Sequence, residues 1–160
     1  MKASRSALLL AGLACSLAAA CSKAPPSEST PAKHEHHPPH GGVPVVLGDE
    51  AYHLELILDP AEGKLQAYLL DGELENFVRS AAPSLEITAT VAGARQSLVL
   101  RAVANPATGE TVGDTSLFEG RADWLRTVGH FDAVLESLTI RGTTFTHVAF
   151  NYPKGNDAGP

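Results

Sequence analysis

The stretch SLEITATVAGARQSLVLRAVA, residues 84–104, decides the fold class. Leu85, Ile87, Ala89 and Val91 alternate with Glu86, Thr88 and Thr90, the two-residue period of a strand with one buried face. Ala92-Gly93-Ala94-Arg95 is turn chemistry, and residues 97–104 run back as the second arm of a hairpin. Upstream, residues 43–47, 52–58 and 64–70 are short runs of leucine, β-branched and aromatic residues. Gly48-Asp49-Glu50 and Asp59-Pro60-Ala61-Glu62-Gly63 separate them, and Asp71-Gly72 opens the next turn. Residues 73–80 read as a loop or one helical turn. Downstream, Asn105-Pro106-Ala107-Thr108-Gly109 breaks the pattern, residues 110–116 form an exposed loop, and residues 116–119 make a short strand. Residues 122–128 are a short helix with Trp124, Leu125 and Val128 inward; residues 133–140 and 144–152 flank Arg141-Gly142-Thr143 as a last hairpin. About seven strands with one short helix and no βαβ alternation predict an all-β domain over 43–153. It is a single small antiparallel β-sandwich or open barrel. Residues 154–160 read as a disordered tail.

The 160 residues are 44% apolar and 19% charged, enough apolar content for one domain with a core. The net charge of -6 is unevenly placed. Residues 41–160 carry eight basic and sixteen acidic side chains, so no basic stripe exists to bind nucleic acid. Cys15 and Cys21 are the only cysteines, which leaves nothing after residue 21 for a disulfide or a thiolate site. The signatures of a nucleophile elbow, a zinc protease helix and a phosphate or dinucleotide loop are missing, so a non-enzymatic protein is expected.

The N-terminus reads as an address. Lys2 and Arg5 precede an apolar run ending at Ala20, too short to span a bilayer of about 30 Å. Ala18-Ala19-Ala20 before Cys21 resembles a bacterial lipoprotein signal, which implies cleavage after residue 20 and diacylglycerol and palmitate on Cys21. The resemblance implies a cell-envelope protein held to the membrane by its N-terminal lipid. Ser22 in place of aspartate favours the outer membrane over the inner. The other reading is an ordinary cleaved signal that leaves Cys21 free.

Residues 21–42 read as a disordered tether rich in proline and histidine. They hold no aliphatic side chain larger than alanine and bury too little to offset their ordering entropy. As extended polyproline, at about 3.1 Å per residue, they reach roughly 65 Å. His34, His36, His37 and His40 are nitrogen ligands suited to a Zn, Cu(II) or Ni ion. The alternative is a polar spacer without a metal. His53 and Glu55 alternate with Tyr52, Leu54 and Leu56, and so share the face away from the leucines. They join His40 as candidate metal ligands, against the alternative of an exposed strand histidine. His130 and His147 lack partners at ligand spacing.

His-Gly-Gly at 40–42, Tyr-His-x-Glu-Leu at 52–56, Asp59 and Tyr-x-Leu-Asp at 68–71 together carry a resemblance. The segment is similar to one near the start of periplasmic adaptor proteins of heavy-metal efflux systems, and to small bacterial lipoproteins with a His-rich linker. The adaptors' lipoyl and hairpin domains have no room in the rest of the chain. The resemblance therefore implies a periplasmic metal-linked binding module, with an envelope protein as a possible partner. A structural or protein-interaction lipoprotein without metal function is the alternative.

Overall fold

The computed structural model describes residues 37–157. The expected signal peptide, Cys21, His34, His36 and the last three residues lie outside that range. Eight antiparallel strands form one sheet: β1 Val43–Leu47, β2 Tyr52–Asp59, β3 Lys64–Asp71, β4 Ser84–Val91, β5 Ala94–Ala102, β6 Leu117–Arg121, β7 Phe131–Ile140 and β8 Thr143–Tyr152. Their spatial order is β1-β2-β3-β6-β5-β4-β7-β8. The sheet curls into a nearly closed barrel with β1 and β8 meeting at the seam. Of the two architectures expected, the open barrel is the one adopted. The expected short helix is a single 3₁₀ turn, Asp123–Arg126, with Leu125 buried. No helix among the described residues is long and apolar enough to cross a membrane.

The alternation in residues 84–104 does what its period demands. Leu85, Ile87, Ala89, Leu98 and Leu100 all enter the core. The loop between them is tighter than expected: β5 begins at Ala94, so only Ala92 and Gly93 turn the chain. Both take positive φ, at 49° and 81°, and Arg141-Gly142 repeats this at 49° and 88°. Such a two-residue turn matches the twist of the strands it joins. The β4–β5 hairpin is inserted between β6 and β7, so the segments after β3 and after β6 each cross the barrel end. Trp124 meets Phe131 edge-on at 5.2 Å, and Phe131 stacks on Tyr152 at 5.3 Å, filling part of the core under the second crossing.

The seam is closed by a side chain. Val46 N–H donates to Asn156 Oδ1 at 2.7 Å, and Asn156 Nδ2 donates to the Val46 carbonyl at 3.1 Å. The amide of Asn156 thus satisfies the N–H and C=O of one β1 residue as a neighbouring strand would. Gly155 lets this happen, because a Cβ there would stand 2.2 Å from the Pro44 carbonyl oxygen. Gly155 and Asn156, expected in a disordered tail, are therefore folded against β1. The reciprocal Asn151–Gly155 backbone hydrogen bonds help hold them.

Candidate functional site

Glu55 on β2 is fully buried, although alternation assigns it to the face away from Leu54 and Leu56. What covers it is the last piece of the expected tether. Oε1 accepts the N–H of His40 and of Gly42, both at 2.8 Å, and Oε2 lies 2.8 Å from His40 Nδ1. Each residue of the strap has a reason to be there. Gly41 sits at φ +70° and donates its N–H to Pro38 across a turn, while Gly42 packs too closely for a side chain. A Cβ on Gly42 would lie 2.7 Å from both Glu55 Cγ and the Leu56 carbonyl. His-Gly-Gly is thus the complement of one buried carboxylate 13–15 residues downstream. This corrects the expectation that residues 37–42 are disordered.

The carboxylate fixes the imidazole. An ionised carboxylate only accepts, so against it Nδ1 is the donor, which in a neutral imidazole leaves the lone pair on Nε2. The ring is stacked on Tyr68 at 4.1 Å, with Phe77 at 5.6 Å, and its side chain is 37% exposed. Tyr68 reaches it because β3 sets Tyr68 opposite Glu55. Its phenol is pushed above the usual range by burial, then by the nearby charges of Glu55 and Glu119. Among the described residues no lysine or arginine pairs with Glu55.

Beside the stacked rings lies a cavity of about 460 Å³, bounded by Phe77, Leu117, Arg79, Thr108 and Glu110. Its far wall is held by a second buried carboxylate. Glu110 Oε1 accepts the Ser116 N–H at 3.0 Å and the Ser116 hydroxyl at 2.7 Å; Oε2 accepts from Thr108 at 3.0 Å. Arg79 stands 3.8 Å away and is engaged with Asp114 and the Thr108 carbonyl. Burial pushes the Glu110 carboxyl up, but the Ser116 and Thr108 hydrogen bonds and the Arg79 charge together hold it below its ordinary value.

His53 does not join His40 and Glu55 as the sequence had suggested. It is 2% exposed, with Nδ1 3.2 Å from the Asp71 carbonyl, and is neither a free ligand nor an exposed strand histidine. Among the described residues no group of three or more His, Asp or Glu is placed to hold a metal ion. His130 and His147 are exposed. Tyr68, Phe77 and Glu110 were missed as site residues; the Tyr-x-Leu-Asp run was the signal for the first. Its Asp71 has a local role, accepting the Glu75 and Asn76 N–H groups and the Asn76 amide. Burial opposes ionisation of Asp71, yet these bonds hold its carboxyl below the ordinary value.

Fold and site together define a small antiparallel β-barrel whose N-terminal histidine strap is clasped by an enclosed carboxylate. Comparison with known protein families, with curated proteins and with solved structures finds no match to this chain.

Proposed function

We propose that this chain is a non-enzymatic, lipid-anchored binding protein of the bacterial envelope whose histidine-rich segment captures a divalent transition metal. The observation that carries the reading is the His40–Glu55 pair. A metal-bound histidine usually gives its other ring N–H to a carboxylate, which fixes the tautomer and strengthens the ligand. His40 has that arrangement before any metal arrives, with Nε2 directed by the Nδ1 bond. His34, His36 and His37, close by in sequence, supply further nitrogens. A set of imidazoles without thiolate suits Zn²⁺, Cu²⁺ or Ni²⁺. Cys21 after its alanine run supports anchoring by lipid on the periplasmic side, and Ser22 in place of aspartate supports the outer membrane over the inner.

Calorimetric titration of the full-length chain with Zn²⁺ and with Cu²⁺ tests the metal. Heat that His40→Gln weakens supports the reading; unchanged heat after removal of residues 31–40 overturns it. For the anchor, Cys21→Ser should abolish palmitate labelling and move the chain to the soluble fraction. A second reading is favoured by the completeness of the clasp itself. Three hydrogen bonds to Glu55 suffice to join a tether to a barrel. In that reading the histidines only solvate, the barrel meets an envelope protein, and no heat appears with either ion.

A further inference from the structure

The clasp has an asymmetry that bears on how a metal would act on the barrel. Glu55 is an enclosed carboxylate satisfied by two backbone N–H groups and one imidazole, and among the described residues no lysine or arginine pairs with it. Arg79 lines the cavity beside the ring but is engaged with Asp114 and the Thr108 carbonyl, and the nearby carboxylate adds to the deficit. Glu119 also faces Tyr68, and although Arg121 at 3.3 Å and Gln66 share it, its field still reaches the phenol. A cation on Nε2 makes the imidazole Nδ1–H a stronger donor, so the bond it gives to the enclosed carboxylate becomes charge-assisted and tightens.

We propose that metal capture and docking of residues 40–42 onto the barrel are one coupled event: a divalent cation on His40 Nε2 tightens the hold of Glu55 on the strap. This deepens the metal reading above and rests on it. The strap supplies the contact that reports it, since the Gly42 N–H is a direct donor to the same carboxylate oxygen that takes the His40 N–H. Coupling is reciprocal, so whatever factor the metal adds to strap docking, docking adds to metal affinity. Loss of a carboxylate behind a ligating histidine lowers metal affinity by about 10–100-fold. The same factor is expected in the protection of the strap amides. A metal held only by the upstream histidines would leave those amides unchanged.

The test is hydrogen exchange at the Gly42 amide in the full-length chain, with and without saturating Zn²⁺ at fixed pH, alongside calorimetry. Zinc should slow Gly42 exchange about 10–100-fold, and Glu55→Gln should remove that increment while weakening zinc by the same factor. His40→Gln leaves Glu55 and its backbone donors in place, so it also keeps the test valid if Glu55→Gln does not fold. In that variant Gly42 should exchange at one rate with or without zinc. Zinc heat with no change at Gly42 overturns the coupling and leaves the metal reading standing. Absence of zinc heat overturns both.

Discussion

Glu55 and Glu110 solve the same problem in two ways. Each is a buried carboxylate that accepts from the backbone, Glu55 two N–H groups and Glu110 one, and so pins an irregular segment to the barrel. Glu110 is closed on itself: its donors lie within residues 108–116, and Arg79 beside it is already paired with Asp114. Glu55 reaches back along the chain to a strap that can peel away, and its cation-capable partner is an imidazole with one nitrogen unused. The closed network serves shape. The open one leaves a valence at which something else can bind, and this is the feature on which the metal reading depends.

The largest expected effect separates the two. Glu110→Ala removes the acceptor of three hydrogen bonds inside a loop that cannot leave the barrel. It should cost about 3 kcal/mol in urea denaturation. Glu55→Ala should cost less, about 1–2 kcal/mol, because residues 40–42 can detach and hydrate. Equal costs would break the contrast. The pH dependence sharpens it. Because the folded Glu110 carboxyl is held low, its stabilisation is complete above the unfolded value of about 4.3. It fades as pH falls through the lower folded value. The stability gap between wild type and Glu110→Gln should therefore shrink in acid, while Asp71, shifted the same way, keeps acid sensitivity in both proteins.

Next in size come the strap glycines. Gly42→Ala sets a Cβ 2.7 Å from Glu55 Cγ and the Leu56 carbonyl, and the strap must lift. A cost of about 2 kcal/mol, with fast exchange at residues 40–42, is expected. Gly41→Ala meets nothing within 4 Å and bears only its φ of +70°, so about 1 kcal/mol should suffice. If the two substitutions cost the same, close packing on Glu55 is not what holds the strap.

The difference between the two carboxylates also marks what the sequence could reveal. Strands with one buried face were legible: Ser84–Val91 shows its period in every residue, and its core positions follow. The ends of turns were not, because Ala94 and Arg95 suit a turn or a strand and only pairing with Val91 and Thr90 decides. At Glu55, alternation correctly separated two faces but carried no information about what covers the second. Pro38-Pro39-His40-Gly41-Gly42 has the composition of a linker, and what orders it is a carboxylate on another strand. Tail residue Asn156 was illegible for the same reason, since its partner Val46 is 110 residues away. Several residues of the 40–71 pattern have a structural place: His40 and Gly42 clasp Glu55, Gly41 turns the strap, Asp59 caps its turn at Glu62, Tyr68 carries the imidazole and Asp71 closes its loop. These residues thus have structural roles of their own, whereas the metal reading depends on one nitrogen of one ring.

The smallest expected effect concerns which partner holds Glu110. The Ser116 hydroxyl donates at 2.7 Å in a buried setting, whereas Arg79 stands 3.8 Å away with its side chain 40% exposed. A double-mutant cycle between Ser116→Ala and Glu110→Gln should give a coupling of about 1–2 kcal/mol. The cycle between Arg79→Ala and Glu110→Gln should give less than about 1 kcal/mol, because water screens the guanidinium and a pair this exposed is worth little. Raising salt should erode the second coupling and leave the first unchanged. If the arginine cycle proves the larger, Glu110 depends on a charged partner as Glu55 would on a metal, and the contrast between a closed and an open carboxylate fails at its closed end.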